Sequence, residues 1–277
     1  MRVVSQFMVA KPPGRCVFCG DRGLTKEDVL PLWLSKLFPE QNLRHVMENR
    51  DFDVLKVRAA APLRLKARVV CARCNNRWMS RLEAAAQPIL RTLIRGLPSS
   101  LTPDNQETLA AWSVKTAYMF RYAVRPVRPV PQPWRDMFYA DRSLPPSTHV
   151  WFGRYGGDAV CRAWTTPLIL KVPSRPHESR EGELFTLALG QAVMQVAFID
   201  YDGLQGTIVP PDGAERLIMQ IWPTCGSQHW PPPMAFTDTG LEDYSRSLLS
   251  PNPLGGARPE QGTSESHLPV GRQMTSR

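Results

Sequence analysis

Four of the six cysteines lie in two C-x2-C pairs, Cys16 with Cys19 and Cys71 with Cys74. Two intervening residues allow a tight turn to direct both sulfurs of a pair toward one metal ion, and two such pairs complete a tetrahedral shell. A reducing compartment keeps thiols free, so the pattern favours a metal over disulfides, with buried or redox-active cysteines as the alternative. The sequence therefore predicts a structural Zn2+ site with no open coordination position.

The two cysteine pairs are separated by 51 residues, 20 to 70. Closing a loop of that length costs roughly 3.5 kcal/mol of chain entropy. Structural zinc contributes on the order of 10–16 kcal/mol in zinc-finger peptides, so a long insert is compatible with one metal site. The remaining cysteines, Cys161 and Cys225, stand alone and are interpreted as ordinary residues.

An acid pair, Glu27 and Asp28, lies between the cysteine pairs in the stretch "GLTKEDVLPLWL". Pro31 would clash inside a helix but is favourable in its first turn, which predicts a helix that begins near Pro31. Glu27 and Asp28 would then lie on the turn before this helix, with their polar groups directed between the cysteine pairs. The alternative is that both only complement the positive end of the helix.

The order "CVFCG", "TKEDVLP" and "VVCARCNNRW" resembles the zinc-knuckled branch of the HNH endonuclease family over residues 16 to about 83. The resemblance implies a ββα-metal module, a second divalent cation (Mg2+, Mn2+ or Ni2+) and hydrolysis of phosphodiester bonds in DNA. By the resemblance, Glu27 and Asn75 would hold that cation. Asp28 stands where the family has its general-base histidine. Three interpretations of this aspartate are open: a general base weaker than histidine at neutral pH, a second metal ligand, or a position without catalytic function.

Basic residues are concentrated in one part of the chain. The net charge is +9, and residues 44–95 hold 12 Lys and Arg against 4 Asp and Glu. Arg73, Arg77 and Arg81 recur every four residues of a predicted helix and would share one face, which predicts phosphate contacts in DNA; Lys26 completes the predicted nucleic-acid-binding set. A solvated basic surface is the alternative, and Trp78 is predicted to be a core residue rather than a base-stacking one.

The expected fold class is α+β, with an N-terminal zinc-knuckle module followed by a domain of helices and antiparallel strands. Residues 1–100 are the predicted module with its basic insert, residues 101–249 an α+β domain of unknown function, and residues 250–277 a disordered tail. A helix is predicted from about residue 76 to Gly96, and another over residues 101–124 with Asp104 as its cap. The Pro-rich passage 125–134 is predicted to be neither helix nor central strand.

Strands are predicted at "THVWFGRY", "AVCRAWTTPLILKV", "GTIVP" and "RLIMQIWP". The apolar stretch 184–199 is predicted to be a buried core element, because Gln191 and Gln195 interrupt it and it is shorter than the roughly 20 residues that span a bilayer. The first twenty residues contain no signal-peptide pattern, so a cytoplasmic location without membrane contact is expected.

Three functions follow as hypotheses. The first is a metal-dependent HNH-like endonuclease, and the second is a catalytically inactive, zinc-stabilised module that binds DNA or a partner. The third assigns the function to residues 101–249, with the cysteine pairs as a stabilising addition.

Overall fold

The structure is a computed structural model. It describes residues 14–38, 43–48, 54–60, 63, 65–124, 130–145, 148–157, 160–172, 175–199 and 213–246. The fold class is α+β, as predicted. The predicted strand at 206–210 and the predicted disordered tail at 250–277 lie outside the described residues.

The helices of the described chain are α1 Leu32–Leu37, α2 Ala72–Cys74, α3 Ser80–Ile94, α4 Pro103–Val124, α5 Gln132–Asp141 and α6 Asp238–Arg246, with a π-helical turn Asn75–Met79 and a 3-10 turn Ala214–Arg216. The strands are β1 Leu24–Asp28, β2 Leu43–Glu48, β3 Val54–Ala60, β4 Lys66–Cys71, β5 Ser99–Leu101, β6 Thr148–Tyr155, β7 Val160–Val172, β8 Arg175–Gly190, β9 Ala192–Ile199, β10 Ile218–Trp222, β11 Gln228–Trp230 and β12 Ala235–Phe236.

A mixed sheet of eight strands forms the centre of the described fold. Its order is β10-β6-β9-β8-β7-β2-β3, and β12 pairs with β6. The strands β6 to β9 pair antiparallel, as predicted for this part of the chain. Helix α4 packs on one face of the sheet and α6 on the other, which is why β9 is buried along its whole length.

The segment between the cysteine pairs contributes to two sheets. Strands β1 and β4 form a separate antiparallel ribbon, and the hairpin β2–β3 extends the large sheet because β2 pairs in parallel with β7. One hydrophobic cluster includes Cys16 and Trp78 together with Phe138 and Trp230. The core is therefore continuous across residue 100, where the sequence suggested a domain boundary; that boundary stays a prediction.

Helix α2, the π-helical turn and α3 follow one another without a break and are called here the arginine helix, residues 72–94. It passes through Pro88 and ends before Gly96. Gly96 has a φ of +67° and donates its N–H to the Leu93 carbonyl oxygen. Helix α3 packs on α4, where the Lys115 ammonium is fully buried and lies 2.6 Å from a carboxylate oxygen of Glu83. A buried ammonium needs such a partner, so the pair links α3 to α4.

The Pro-rich passage is in part helical, which corrects the prediction. Helix α5 begins at Gln132, with Pro131 at its cap and Pro133 in its first turn. Proline is tolerated there because the first N–H groups of a helix have no partner within the helix.

The cap of α4 is also different from the predicted one. The Thr102 hydroxyl accepts the Asn105 N–H at 3.3 Å, and the Asn105 carboxamide oxygen accepts the Thr102 N–H at 3.4 Å. Asp104 lies in the first turn, where its charge complements the helix dipole.

The apolar stretch 184–199 is buried, as predicted, but it is a hairpin of β8 and β9. Gly190 at its turn has a φ of +54°, and a Cβ there would lie 2.7 Å from the Ile94 carbonyl oxygen. The next residue, Gln191, donates its N–H to the same oxygen at 2.9 Å, so the turn joins the sheet to the end of α3. Among the described helices, none has the length and apolar character required to cross a membrane.

Candidate metal centre and arginine-lined cavity

The first cysteine pair lies in a tight turn that precedes β1. Gly20 donates its N–H to the Cys16 carbonyl oxygen at 2.9 Å and has a φ of +74°, a conformation that glycine adopts without strain. The Val17 N–H donates to the Val69 carbonyl oxygen of β4, also at 2.9 Å. The turn is therefore attached to the strand that carries the second cysteine pair.

The second pair lies at the junction of β4 and the arginine helix. Cys71 is the last residue of β4, and Cys74 is the last residue of α2. Leu24, at the start of β1, pairs with Cys71 in the antiparallel ribbon. Because the first pair immediately precedes β1, the ribbon brings both pairs to one end.

The four sulfur atoms form one cluster. All four Sγ atoms lie within 4.8 Å of one another, and those of Cys19 and Cys71 are 3.5 Å apart. All four thiols are free, and a disulfide would require about 2.0 Å. Tetrahedral coordination with bonds of about 2.3 Å separates the sulfurs by about 3.8 Å, so the cluster is compatible with a structural metal ion.

Hydrogen bonds within the cluster favour a thiolate at Cys16. Its contact with Cys74 and the backbone N–H groups around it hold the pKa of the Cys16 thiol well below its usual value, although burial opposes this. The contact with Cys16, followed by burial, raises the pKa of the Cys74 thiol. Burial raises the pKa of the Cys19 thiol. A bound cation favours the deprotonated form of every ligand, which is the form that coordinates metal.

An aromatic cluster connects the cysteine turn to α5. Phe18 packs edge-on against Trp78 with ring centroids 5.0 Å apart, and Trp78 packs edge-on against Phe138 at 5.7 Å. Arg135 of α5 donates from Nη1 to the Val17 carbonyl oxygen at 2.8 Å. Trp78 is 8% exposed, as predicted for a core residue. These contacts hold α5 beside the arginine helix.

A cavity of about 340 Å³ lies between the arginine helix and the C-terminal end of α5. Its lining residues are Arg73, Cys74, Arg77, Trp78, Arg81, Tyr139, Ala140 and Arg142. The three arginines for which the sequence predicted a common helix face all line it. No acidic side chain is among the described residues that line it.

Two of the four arginines are fixed by neighbouring residues. Arg73 Nη2 lies 2.8 Å from Asp21 Oδ2. The Arg142 guanidinium lies 4.2 Å from the Trp78 ring centroid and donates to the carbonyl oxygens of Phe138 and Tyr139 at 2.6 and 2.5 Å. Arg142 is therefore held by a cation–π contact and by two hydrogen bonds.

The other two arginines are available to a ligand. Arg77 and Arg81 are exposed, and in the part of the chain that the structure describes neither side chain makes an ion pair or a hydrogen bond to protein. Burial lowers the pKa of the Arg142 guanidinium, and Tyr139, Asp141 and Cys74 oppose this. The cavity therefore presents two guanidinium groups, those of Arg77 and Arg81, that have no ion-pair partner among the described residues.

The π-helical turn Asn75–Met79 helps to align the arginines. On a regular α-helix, residues four apart drift by about 40° per step, because a turn takes 3.6 residues. A π turn is wider and reduces this drift. Arg73 and Arg81, before and after the turn, consequently face the same cavity.

The acid pair lies in strand β1 rather than on a turn, which corrects the prediction. Glu27 pairs with Ala67 and Asp28 with Lys66, because β4 extends far enough to continue the ladder. Successive strand residues point to opposite faces, so the two carboxylates diverge. Asp28 Oδ1 lies 2.9 Å from Lys66 Nζ.

The helix after Pro31 begins where it was predicted, as α1 Leu32–Leu37 with Pro31 at its cap. Asn75, half-buried in the π-helical turn, donates from Nδ2 to Asn76 Oδ1 at 3.3 Å. Lys26 is exposed in β1, at a register shift between Thr25 and Glu27. Within the described ranges, the four cysteines are the one group of three or more His, Cys, Asp or Glu residues with ligand atoms this close together.

Sequence reasoning did not identify Tyr139 and Arg142 as cavity residues. Both depend on α5, which was not predicted because of its prolines. The available signals were Pro133 in a first-turn position and the four-residue spacing of Trp134 and Phe138, which is typical of a helix. Arg142 has a φ of +73° at the helix end, a conformation that the sequence does not indicate for arginine.

Replacing one ligand tests the metal centre. We expect Cys71→Ser to lower bound metal from about one ion per chain to a substoichiometric level. We also expect it to reduce the free energy of unfolding by about 3 kcal/mol or more, because the cost of closing the insert is no longer offset. Metal analysis by mass spectrometry and urea denaturation measure both effects.

Cys225→Ser is the matched control, since Cys225 is exposed and outside the cluster. It should leave metal content and stability unchanged. Stoichiometric metal in the purified Cys71→Ser protein would contradict the assignment of the four cysteines.

A comparison of the chain with protein-family models, with curated proteins and with solved structures finds no match. The function of this site is therefore inferred from its own residues and geometry.

Proposed function

We propose that the protein binds DNA through the arginine-lined cavity and the helix face around it, on a module that a structural Zn2+ ion stabilises. The observation that carries the proposal is the convergence of Arg73, Arg77 and Arg81 on one cavity that also includes Cys74 of the sulfur cluster. The protein would act as a binding module, with metal for stability and arginines for recognition.

Zinc is the ion that best suits the sulfur cluster. Four thiolates in tetrahedral arrangement are the usual ligands of structural zinc, and they leave no position for a water molecule. Three of the four cysteines are buried, which protects such a site from exchange. An ion held this way supplies folding energy and no hydrolytic chemistry of its own.

The arginines have the properties required for phosphate recognition. A guanidinium binds a phosphate through two parallel hydrogen bonds, and its charge does not depend on pH in the physiological range. Arg77 and Arg81 would bind without breaking an existing ion pair. Phosphate contacts carry no sequence information directly, so the proposed binding is general rather than sequence-specific.

The metal centre and the binding face are adjacent in sequence and in space. Arg73 lies between Cys71 and Cys74, and Cys74 contributes to the cavity wall. Loss of the ion would remove one of the links between the cysteine turn and the start of the arginine helix, beside the ion pair of Asp21 with Arg73. Zinc would therefore support DNA binding by stabilising the module that carries the three arginines.

HNH-like hydrolysis is the second candidate function, and it is favoured by one observation. Two antiparallel strands, β1 and β4, are followed directly by a helix, with Glu27 and Asp28 in the first strand and Asn75 in the first turns of the helix. This is the strand–strand–helix order that the resemblance to HNH endonucleases implies. Glu27 and Asn75 would hold the catalytic divalent cation.

Two features of the acid pair favour binding over hydrolysis. Asp28 and Glu27 point to opposite faces of the ribbon, so they are poorly placed to act on the same cation. Lys66 also balances the charge of the Asp28 carboxylate through their ion pair, which leaves this carboxylate less available to a cation or a water molecule. DNA binding without cleavage is accordingly the first proposal.

The salt dependence of DNA binding tests the first proposal. We expect the wild-type protein to bind a duplex oligonucleotide with a steep dependence on salt. The double variant Arg77→Gln/Arg81→Gln should bind more weakly to every sequence and should lower the slope of log affinity against log salt by about two, because each arginine neutralises one phosphate. Fluorescence anisotropy at several salt concentrations measures the slope.

Arg216→Gln is the control, because Arg216 is exposed in the 3-10 turn that packs on the α6 side of the sheet, away from the arginine helix. Its slope should equal that of the wild type. Absence of binding at low salt, or an unchanged slope in the double variant, would refute the proposal.

A plasmid-nicking assay with Mg2+, Mn2+ or Ni2+ separates the two candidate functions. The binding proposal predicts that the wild-type protein does not nick supercoiled plasmid. Nicking by the wild-type protein would establish the second candidate instead, provided that Asp28→Ala abolishes it. The control Asp104→Ala, which removes an exposed carboxylate, should then retain it. Cleavage by Asp28→His alone would indicate a nuclease scaffold whose water-activating residue has been replaced.

A further inference from the structure

The arginine-lined cavity has the size of a small-ligand site. Its volume of about 340 Å³ is at the lower end of the range for pockets that hold small molecules. A single nucleotide is an object of that size, whereas a duplex can only lie across the opening. The cavity therefore offers a place for one nucleotide at the end of a strand, in addition to the outer face that can follow a backbone.

The charge of the cavity exceeds what an internal phosphate supplies. Four guanidinium groups line it; Asp21 pairs with Arg73, and Asp141 and Cys74 act on Arg142, so Arg77 and Arg81 are the two charges without an ion-pair partner among the described residues. A phosphodiester within a strand carries one negative charge. A terminal phosphomonoester carries about 1.5 to 2 at neutral pH, because its second pKa is near 6. The terminal group is the better electrostatic complement.

The four arginines supply different contributions to such a group. Arg142 uses two of its donor nitrogens on backbone carbonyl oxygens and stacks on Trp78, so it provides a fixed charge at the cavity wall. Arg77 and Arg81 have no protein partner for their side chains in the described structure, so they can provide the hydrogen bonds. A fixed charge beside two free donor groups is a suitable arrangement for a dianion.

Tyr139 gives the cavity an aromatic wall. Its side chain is half-buried and lies opposite the arginine helix at the end of α5. A base or sugar attached to the phosphate would contact this ring, and base stacking on aromatic side chains tolerates every base. The wall therefore suits a nucleotide without selecting its identity.

We infer that the cavity binds a phosphomonoester, either at the phosphorylated end of a DNA strand or on a free nucleoside monophosphate. Binding of a strand end rests on the proposed function, DNA binding. Binding of a free nucleotide does not, so an experiment can separate the two sources of the phosphomonoester. A preference for phosphorylated ends would direct this protein to breaks in DNA rather than to intact duplex.

The test compares single-stranded 12-mers that carry a 5′-phosphate, a 3′-phosphate or only hydroxyl ends, with adenosine monophosphate and inorganic phosphate as competitors. We expect the full-length protein to bind at least one phosphorylated 12-mer about tenfold more tightly than the unphosphorylated one. Arg81→Gln should remove most of this preference and keep weaker, salt-dependent binding. Arg95→Gln, the exposed arginine outside the cavity, should keep the full preference.

The possible results distinguish this inference from the proposed function. Equal affinity for phosphorylated and unphosphorylated 12-mers, together with no Arg81-dependent binding of adenosine monophosphate, would overturn the inference and leave general DNA binding intact. Binding of adenosine monophosphate without binding of any 12-mer, if sensitive to Arg81→Gln, would support the cavity's ligand and exclude a strand end as its source. A preference that survives both Arg77→Gln and Arg81→Gln, or no binding of any probe, would overturn the inference.

Discussion

The closure of a 51-residue segment by four sulfur atoms is the constraint on which the functional region depends. A metal ion there would join the turn before β1 to the start of the arginine helix. The turn and the helix are also linked by the ion pair of Asp21 with Arg73, by the contact of Phe18 with Trp78 and by backbone hydrogen bonds such as that from Val17 to Val69. A bound ion would add to these links and would help to hold the start of the helix in place. In this sense the metal would have a structural function that supports the proposed DNA binding.

The second constraint is the attachment of α5 to the same turn. Trp78 is central to it, because the ring contacts Phe18 from the cysteine turn, Phe138 from α5 and the guanidinium of Arg142. One buried indole thus joins the cysteine turn, the arginine helix and the end of α5. The cavity exists because these three segments meet around that ring. Its positive charge comes mainly from Arg77 and Arg81, whose side chains have no ion-pair partner among the described residues.

The sequence revealed those features that depend on local spacing. The C-x2-C pairs, the start of α1 after Pro31 and the repeat of Arg77 and Arg81 are all contained in short windows. Features that depend on distant pairing were not predictable: the β1–β4 register that separates Glu27 from Asp28, and the hairpin that joins the large sheet. The position of Arg142 was missed for a different reason, because it depends on α5, whose prolines argued against a helix.

X-ray absorption at the zinc edge, on the full-length protein, is the most direct measurement of the central claim. Zinc bound by the two pairs should give a single shell of four sulfur atoms at about 2.3 Å and no nitrogen or oxygen ligand. Such a spectrum would establish that one ion connects the cysteine turn to the arginine helix. A shell with light ligands, or with fewer than four sulfurs, would contradict the account, because the four cysteines would then not hold one ion between the two segments.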